Sequence, residues 1–198
     1  MNIAFLDMIL FSTYFILLFL SIFWLIVLFS PEEKKNKKKN CGTPFFSAIV
    51  PAYNEEKSIR ETLQSLINLD YPTDKMEIIV VNDGSTDGTQ QIVEEVIKKN
   101  YSHKITLLNQ DNKGKARAMN NGLKIAKGEF FACLDADSFI AHDALKKMLV
   151  YFEDDDNVAA VCPLLKVRKP ENMLQKVQWC EYVINMFYKL LNSKIDCI

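Results

Sequence analysis

Phe130-Phe131-Ala132-Cys133-Leu134 is an uncharged run that ends in Asp135-Ala136-Asp137. Such a run reads as a strand buried on both faces. Residues two apart in a strand share a side, so Asp135 and Asp137 are expected to converge at the mouth of a sheet. Two carboxylates placed there can hold a divalent cation against a phosphate. Asp137 is the main expected ligand and Asp135 supports the metal or what it binds. The plainer alternative is that Asp137 or Ser138 caps a following turn.

Positioning these groups requires a sheet, and the chain after residue 45 alternates accordingly. Strands are expected at Phe45–Val50 (ended by Pro51), Met76–Val81, Ile105–Leu108, Glu129–Leu134 and Val158–Leu165. Helical spacing of apolar residues falls over Glu55–Leu69, Thr86–Lys99, Lys115–Lys127 (with Gly128 as stop signal) and Asp143–Tyr151. This order predicts an α/β fold with a mainly parallel sheet flanked by helices. Ligands of such sheets bind outside the carboxyl ends of the strands. Four segments meet that edge: Pro51-Ala52-Tyr53-Asn54-Glu55, Asn82 to Gly88, Asn112 to Ala118, and Asp135 to Asp137. The first has no glycine, which argues against a GxGxxG dinucleotide fold, and GxxxxGK[ST] is absent.

The chain has 198 residues, 49% of them hydrophobic, and a net charge of -1, so no global charge points to nucleic acid. Five scattered cysteines and two separate histidines offer no zinc spacing and suggest buried thiols in a reducing compartment. Met8 to Ser30 carries no charge and is long enough to span a bilayer. A signal peptide is the competing reading, but the basic n-region is missing and the apolar run is too long. Five lysines follow between Lys34 and Lys39 and none precedes the span, which places the C-terminal side in the cytoplasm. The expected division is an anchor over 1–30, a basic linker over 31–44, a sheet domain over 45–168 and an apolar amphipathic helix over 169–198. That last helix could lie on a membrane, be covered by further protein, or pack on its own sheet. Asp154-Asp155-Asp156 reads as a solvated turn, and Lys124 and Lys127 as a solvated face.

The segments Ala48 to Glu56, Ile79 to Thr89, Asn112 to Ala118 and Leu134 to Asp137 together resemble family 2 inverting glycosyltransferases of the GT-A, Rossmann-like fold. The anchor ahead of them is most similar to the processive branch that makes poly-N-acetylglucosamine, hyaluronan, chitin and cellulose. The resemblance covers about residues 45 to 165. It implies a nucleotide-diphospho-sugar donor, most often a UDP-sugar, with Mg2+ or Mn2+ and a lipid or polysaccharide acceptor at the cell membrane. On this basis Pro51, Tyr53, Glu55, Asp83, Lys115 and Asp135 are expected to bind substrate, and Asp137 with Asp135 the metal.

Taken alone, these residues keep simpler alternatives. Tyr53 can face a nucleobase or pack in the fold. Glu55 can accept from the nucleoside or favour the first turn of a helix. Asp83, matched to the family's uracil-binding carboxylate, can be a turn residue before Gly84. Lys115 sits at a helix N-terminus, where anions are favoured, and the family implies a diphosphate contact there; Arg117 is a weaker candidate. Ser85 or Thr86 reads as an N-cap with Asp87 in the first turn. The family's general base and its QxxRW motif do not occur up to Ile198. The expectation is therefore the donor-binding half of a longer enzyme, or a nucleotide-sugar-binding subunit completed by a partner.

Overall fold

The computed structural model describes residues 3–29, 42–100, 102–154, 157–167 and 170–194. The linker lysines and Asp155-Asp156 lie outside them. The described elements run α1 (Ile3–Phe29), β1 (Phe46–Ala52), α2 (Ile59–Ile67), a 3-10 turn at Thr73–Lys75, β2 (Met76–Asp83), α3 (Thr89–Lys99), β3 (Lys104–Gln110), α4 (Lys115–Ile125), β4 (Phe130–Cys133), α5 (Ala144–Asp154) and α6 (Met173–Lys194). They divide into two compact units, β1 through α5 and the pair α1 with α6.

The sheet order is β3-β2-β1-β4 and every pairing is parallel. β1 and β2 are buried along their full lengths, as their β-branched composition requires. Alternate side chains feed two layers. Ala48, Val50, Ala52, Ile78 and Val80 pack with Ile59, Leu63 and Leu66 of α2, Val93 and Val96 of α3, and Leu145 of α5. Ile49, Ile79 and Val81 face the other way, onto Ala118 of α4. The apolar residues of α2 and α3 recur at three and four positions, the spacing of one helical face. The fold is therefore the expected parallel α/β sheet with helices on both faces.

The chain steps from β1 outward to β2 and β3 through α2 and α3. It then crosses under the sheet through α4 to reach β4 on the far side of β1. Right-handed crossovers in opposite directions put their helices on opposite faces. The reversal point, between β1 and β4, is where such sheets open a crevice.

Several local expectations change. β1 continues through Pro51. The Ile49 carbonyl accepts from Leu134 N–H at 2.9 Å, so Pro51, two residues on, points its ring nitrogen past the end of β4 and costs the ladder no donor. β4 is not buried on both faces. Among the described residues it is a four-residue edge strand paired to β1 alone, with Phe131 54% exposed and Cys133 exposed. Residues 158–165 form no strand, because no described strand lies beside the outer edge of β4; Leu164 and Leu165 are exposed. Cys162 and Cys180 are exposed too, so the buried-thiol reading fails for the described cysteines; Cys41 and Cys197 lie outside them. α4 stops at Ile125, and Gly128 serves close approach instead. Its N–H donates to Ser47 Oγ at 2.8 Å, and a Cβ there would meet Ser47 N at 2.6 Å.

In the second unit, Asp7–Phe29 of α1 is long and apolar enough to cross a membrane. α6 touches α1 and begins with a capping box: Asn172 Oδ1 accepts from Gln175 N–H at 2.8 Å, and Gln175 Oε1 accepts from Asn172 N–H at 3.3 Å. Met173, Leu174, Val177, Val183 and Ile184 of α6 are exposed.

Candidate functional site

A cleft of about 430 Å3 opens at the reversal point, lined from all four expected loops. Pro51 and Ala52 end β1, and Tyr53 and Glu55 follow it; Asp83 ends β2; Asn112, Gly114 and Lys115 precede or start α4; and Asp135, Ala136 and Asp137 follow β4. All seven residues expected from sequence to bind substrate or metal line this one cleft.

The first two loops are fastened to each other. Asn54, held at φ 56°, accepts the Thr86 N–H on Oδ1 at 2.8 Å and donates its own N–H to Ser85 Oγ at 3.0 Å. Glu55 N–H reaches Thr89 Oγ1 at 2.8 Å, Glu56 N–H reaches Asp87 Oδ2 at 3.1 Å, and Glu56 Oε2 accepts Gly88 N–H at 2.9 Å. α3 begins at Thr89, so Ser85 and Thr86 are loop ties and not its N-cap. Asp87 Oδ1 takes the Thr89 N–H at 3.0 Å and hydroxyl at 2.5 Å. Burial pushes the Asp87 carboxyl up, and these donors outweigh it, holding it below the ordinary range. Tyr53, 49% exposed, stands free of this lattice with its ring available to the cleft. Glu55 precedes α2 and is not in its first turn; its Oε2 accepts the Ser58 hydroxyl at 2.6 Å.

Asp83 is 3% exposed and its carboxylate is well supplied. Oδ1 accepts from Gln110 Nε2 at 2.7 Å and Lys113 N–H at 2.9 Å, and Oδ2 accepts from Gly114 N–H at 2.9 Å. Burial alone would raise its pKa; the three donors more than offset that and hold it below the ordinary carboxylate value. The anion that the start of α4 attracts is therefore Asp83 itself. The loop needs glycine to make this turn: Gly114 sits at φ 87°, and Gly84 at φ 72°, where a Cβ would lie 2.8 Å from Asn112 N.

Lys115, the first residue of α4, extends its Nζ to Asp135 Oδ1 at 2.5 Å, with both side chains more than half exposed. Asp137 Oδ1 receives the Ser138 hydroxyl at 3.4 Å. Asp135 thus already attracts a cation. Among the described residues no three His, Cys, Asp or Glu side chains converge into a closed metal cage. Two carboxylates at an open cleft fit Mg2+ or Mn2+, which complete their shell with water and substrate phosphate. They do not fit a structural metal. Arg117 does not line the cleft.

Sequence reasoning passed over Asn54, Glu56, Asp87 and Thr89, which set the loop shape, and Asn112, which lines the cleft. Their signal was the density of short polar side chains in the two loops, the usual makers of local backbone hydrogen bonds.

Residues 47–197 match glycosyl transferase family 2. The poly-beta-1,6-N-acetyl-D-glucosamine synthase of Staphylococcus epidermidis is 36% identical over 174 residues, 83% of this chain and 41% of that protein. The same synthase of Staphylococcus aureus (strain COL) is 34% identical over 173 residues, with the same coverage. The chain therefore spans about two fifths of the length of these relatives. Among solved structures, the mannosyltransferase PcManGT from Pyrobaculum calidifontis, in complex with GDP-Man and Mn2+, aligns with TM-score 0.61 and 29% identity over 78% of this chain and 44% of that one. S. aureus TarS 1-349 in complex with UDP-GlcNAc aligns with TM-score 0.52 and 33% identity over 60% of this chain and 37% of that one. With its parallel sheet, four-loop cleft and carboxylate pair, this chain belongs to glycosyl transferase family 2.

Proposed function

We propose that the cleft binds a UDP-sugar together with Mg2+ or Mn2+ and serves inverting transfer of a hexose to a lipid or polysaccharide acceptor at the membrane. The observation that carries this reading is the meeting of Tyr53, Asp83, Lys115, Asp135 and Asp137 in one cleft. Tyr53 offers an aromatic face to the base. Asp83, fixed by its three donors, orients the nucleoside end, with Pro51 and Glu55 shaping the floor. Asp137 and Asp135 hold the cation, and Lys115 supplies positive charge to the diphosphate. A divalent cation bound there offsets charge on the departing nucleoside diphosphate. N-acetylglucosamine is the sugar favoured by the named activity of the relatives and by the UDP-GlcNAc bound to TarS.

α1 anchors the protein as a single span, with the domain that follows the lysine-rich linker on the cytoplasmic side. α6 rests its apolar face in the bilayer interface next to α1. The test is titration calorimetry of the full chain in detergent micelles with UDP-GlcNAc and Mn2+. Metal-dependent binding, weakened about tenfold or more by Asp137→Ala, is expected. Metal-independent affinity that survives the substitution would overturn the reading.

A second reading, donor binding without turnover, draws on the cleft's carboxylates. Glu55 is bonded to Ser58, Asp83 is held by three donors, and Asp135 is paired with Lys115. Asp137, the remaining carboxylate among the described lining residues, is the one assigned to the metal, which leaves none of them over as base on an acceptor hydroxyl. A general base and a partner subunit outside these residues would complete the enzyme. Transfer by the 198-residue chain alone would refute this second reading.

A further inference from the structure

An ion pair of the cleft joins two residues that the proposed reaction assigns to different tasks. Lys115 Nζ lies 2.5 Å from Asp135 Oδ1, bridging the start of α4 and the loop after β4. Bound to Asp135, the ammonium occupies a carboxylate that the proposed metal would also use. The pair is more than half exposed, so water screens it and the attachment is weak enough to exchange. Lys115 has a flexible four-carbon stem and a point charge, the properties of a cation that can change partners. Nothing else about α4 has to move, because Asp83 fixes the Lys113 and Gly114 N–H groups just ahead of it.

Building on the UDP-sugar and metal reading above, we propose that Lys115 is an internal counter-ion that reserves Asp135. The cleft then takes a metal–nucleoside diphosphate complex in preference to either part alone. A free metal ion must displace the ammonium from Asp135 and leave it without a partner. A free diphosphate must draw the lysine away and leave Asp135 facing another anion. When both arrive together, the two charges exchange partners: the metal takes Asp135 and Asp137, and Lys115 takes the diphosphate. Each ligand removes the penalty the other would meet, which is positive coupling between the two.

The experiment measures Mn2+ binding by loss of the free-ion electron paramagnetic resonance signal, on the full chain in detergent micelles, with and without saturating UDP. Wild type is expected to bind Mn2+ weakly alone and much more tightly with UDP. In Lys115→Met, Mn2+ alone should bind about threefold to fivefold tighter, the scale of an exposed ion pair. UDP in the presence of Mn2+ should bind about tenfold weaker, so the coupling shrinks. Lys115→Arg keeps a cation on Asp135 and should retain the wild-type pattern for Mn2+ alone. Lys113→Met, which removes the same charge two residues away, should leave Mn2+ binding near wild type.

The proposal is overturned if Lys115→Met leaves Mn2+ affinity unchanged or lowers it, or if Lys113→Met raises it equally. Either result could occur while wild type still binds Mn2+ with UDP, so the underlying functional reading would stand. Should wild type fail to bind Mn2+ even with saturating UDP, the functional reading fails along with the exchange.

Discussion

β2 carries a buried carboxylate at each end, and the two ends do different work. Glu77 and Asp83 are 2% and 3% exposed. Six residues apart, they project on the same side, toward α4, and their separation of about 20 Å is close to the about 16 Å length of that 11-residue helix. Each takes backbone N–H groups from the chain beside α4: Asp83 from Lys113 and Gly114 just before it, Glu77 from Lys127 just after it at 2.7 Å. The helix is thus clasped at both ends. At the amino edge of the sheet the clasp is closed, since Glu77 also takes the Ser47 hydroxyl at 2.9 Å and the Lys104 ammonium at 3.0 Å. At the carboxyl edge no ammonium among the described residues meets Asp83; Lys115 is turned to Asp135, and the cleft opens. The same device serves stability at one edge and leaves charge available for a ligand at the other.

Breaking the closed clasp should have the largest effect. Glu77→Ala leaves Ser47 and the Lys127 N–H without their buried acceptor and is expected to cost about 3 kcal/mol. Denaturant unfolding followed by circular dichroism checks this, with Mn2+–UDP affinity measured below the transition remaining within twofold. A loss of affinity at full folding would erase the distinction between the two edges. Asp83→Ala should cost about 2 kcal/mol and also weaken UDP binding, because the loop at residues 112–114 loses its acceptor.

Both clasps weaken in acid. Burial raises both carboxyls, but backbone and side-chain donors outweigh it, so both titrate below their ordinary values in the folded protein. The unfolded chain then takes up more protons as pH falls. Their stabilisation is full above the ordinary carboxylate range, about pH 4 to 4.5, and is lost on acidification through the lower folded values. Glu77→Gln should flatten part of that acid limb; an unchanged slope would show that Glu77 is not clasped as described. Lys104→Met should do least, about 0–1 kcal/mol, because its side chain is 54% exposed.

The interior strands were legible because runs such as Ile78 to Val81 leave a buried strand as the economical reading. The cleft was legible because four polar loops each follow a strand, and parallel topology brings those ends to one edge. What stayed hidden is non-local. An uncharged run does not reveal whether it has one neighbour or two, so β4 read as central when it is an edge. Residues 158–165 have strand composition but no described strand to pair with. The ties between Asn54 and Thr86, and between Lys115 and Asp135, join positions 32 and 20 residues apart by side-chain geometry that periodicity does not encode. Glu77 gave no signal either, since a lone acid at a strand start is ordinarily solvated.

The most direct test of the account is an anomalous-scattering map of the full chain crystallised with UDP and Mn2+. The account predicts one manganese peak against the Asp137 carboxylate, within reach of the UDP diphosphate, and none near Glu77. A peak remote from Asp135 and Asp137, or UDP seated in the cleft with no metal beside it, would contradict it.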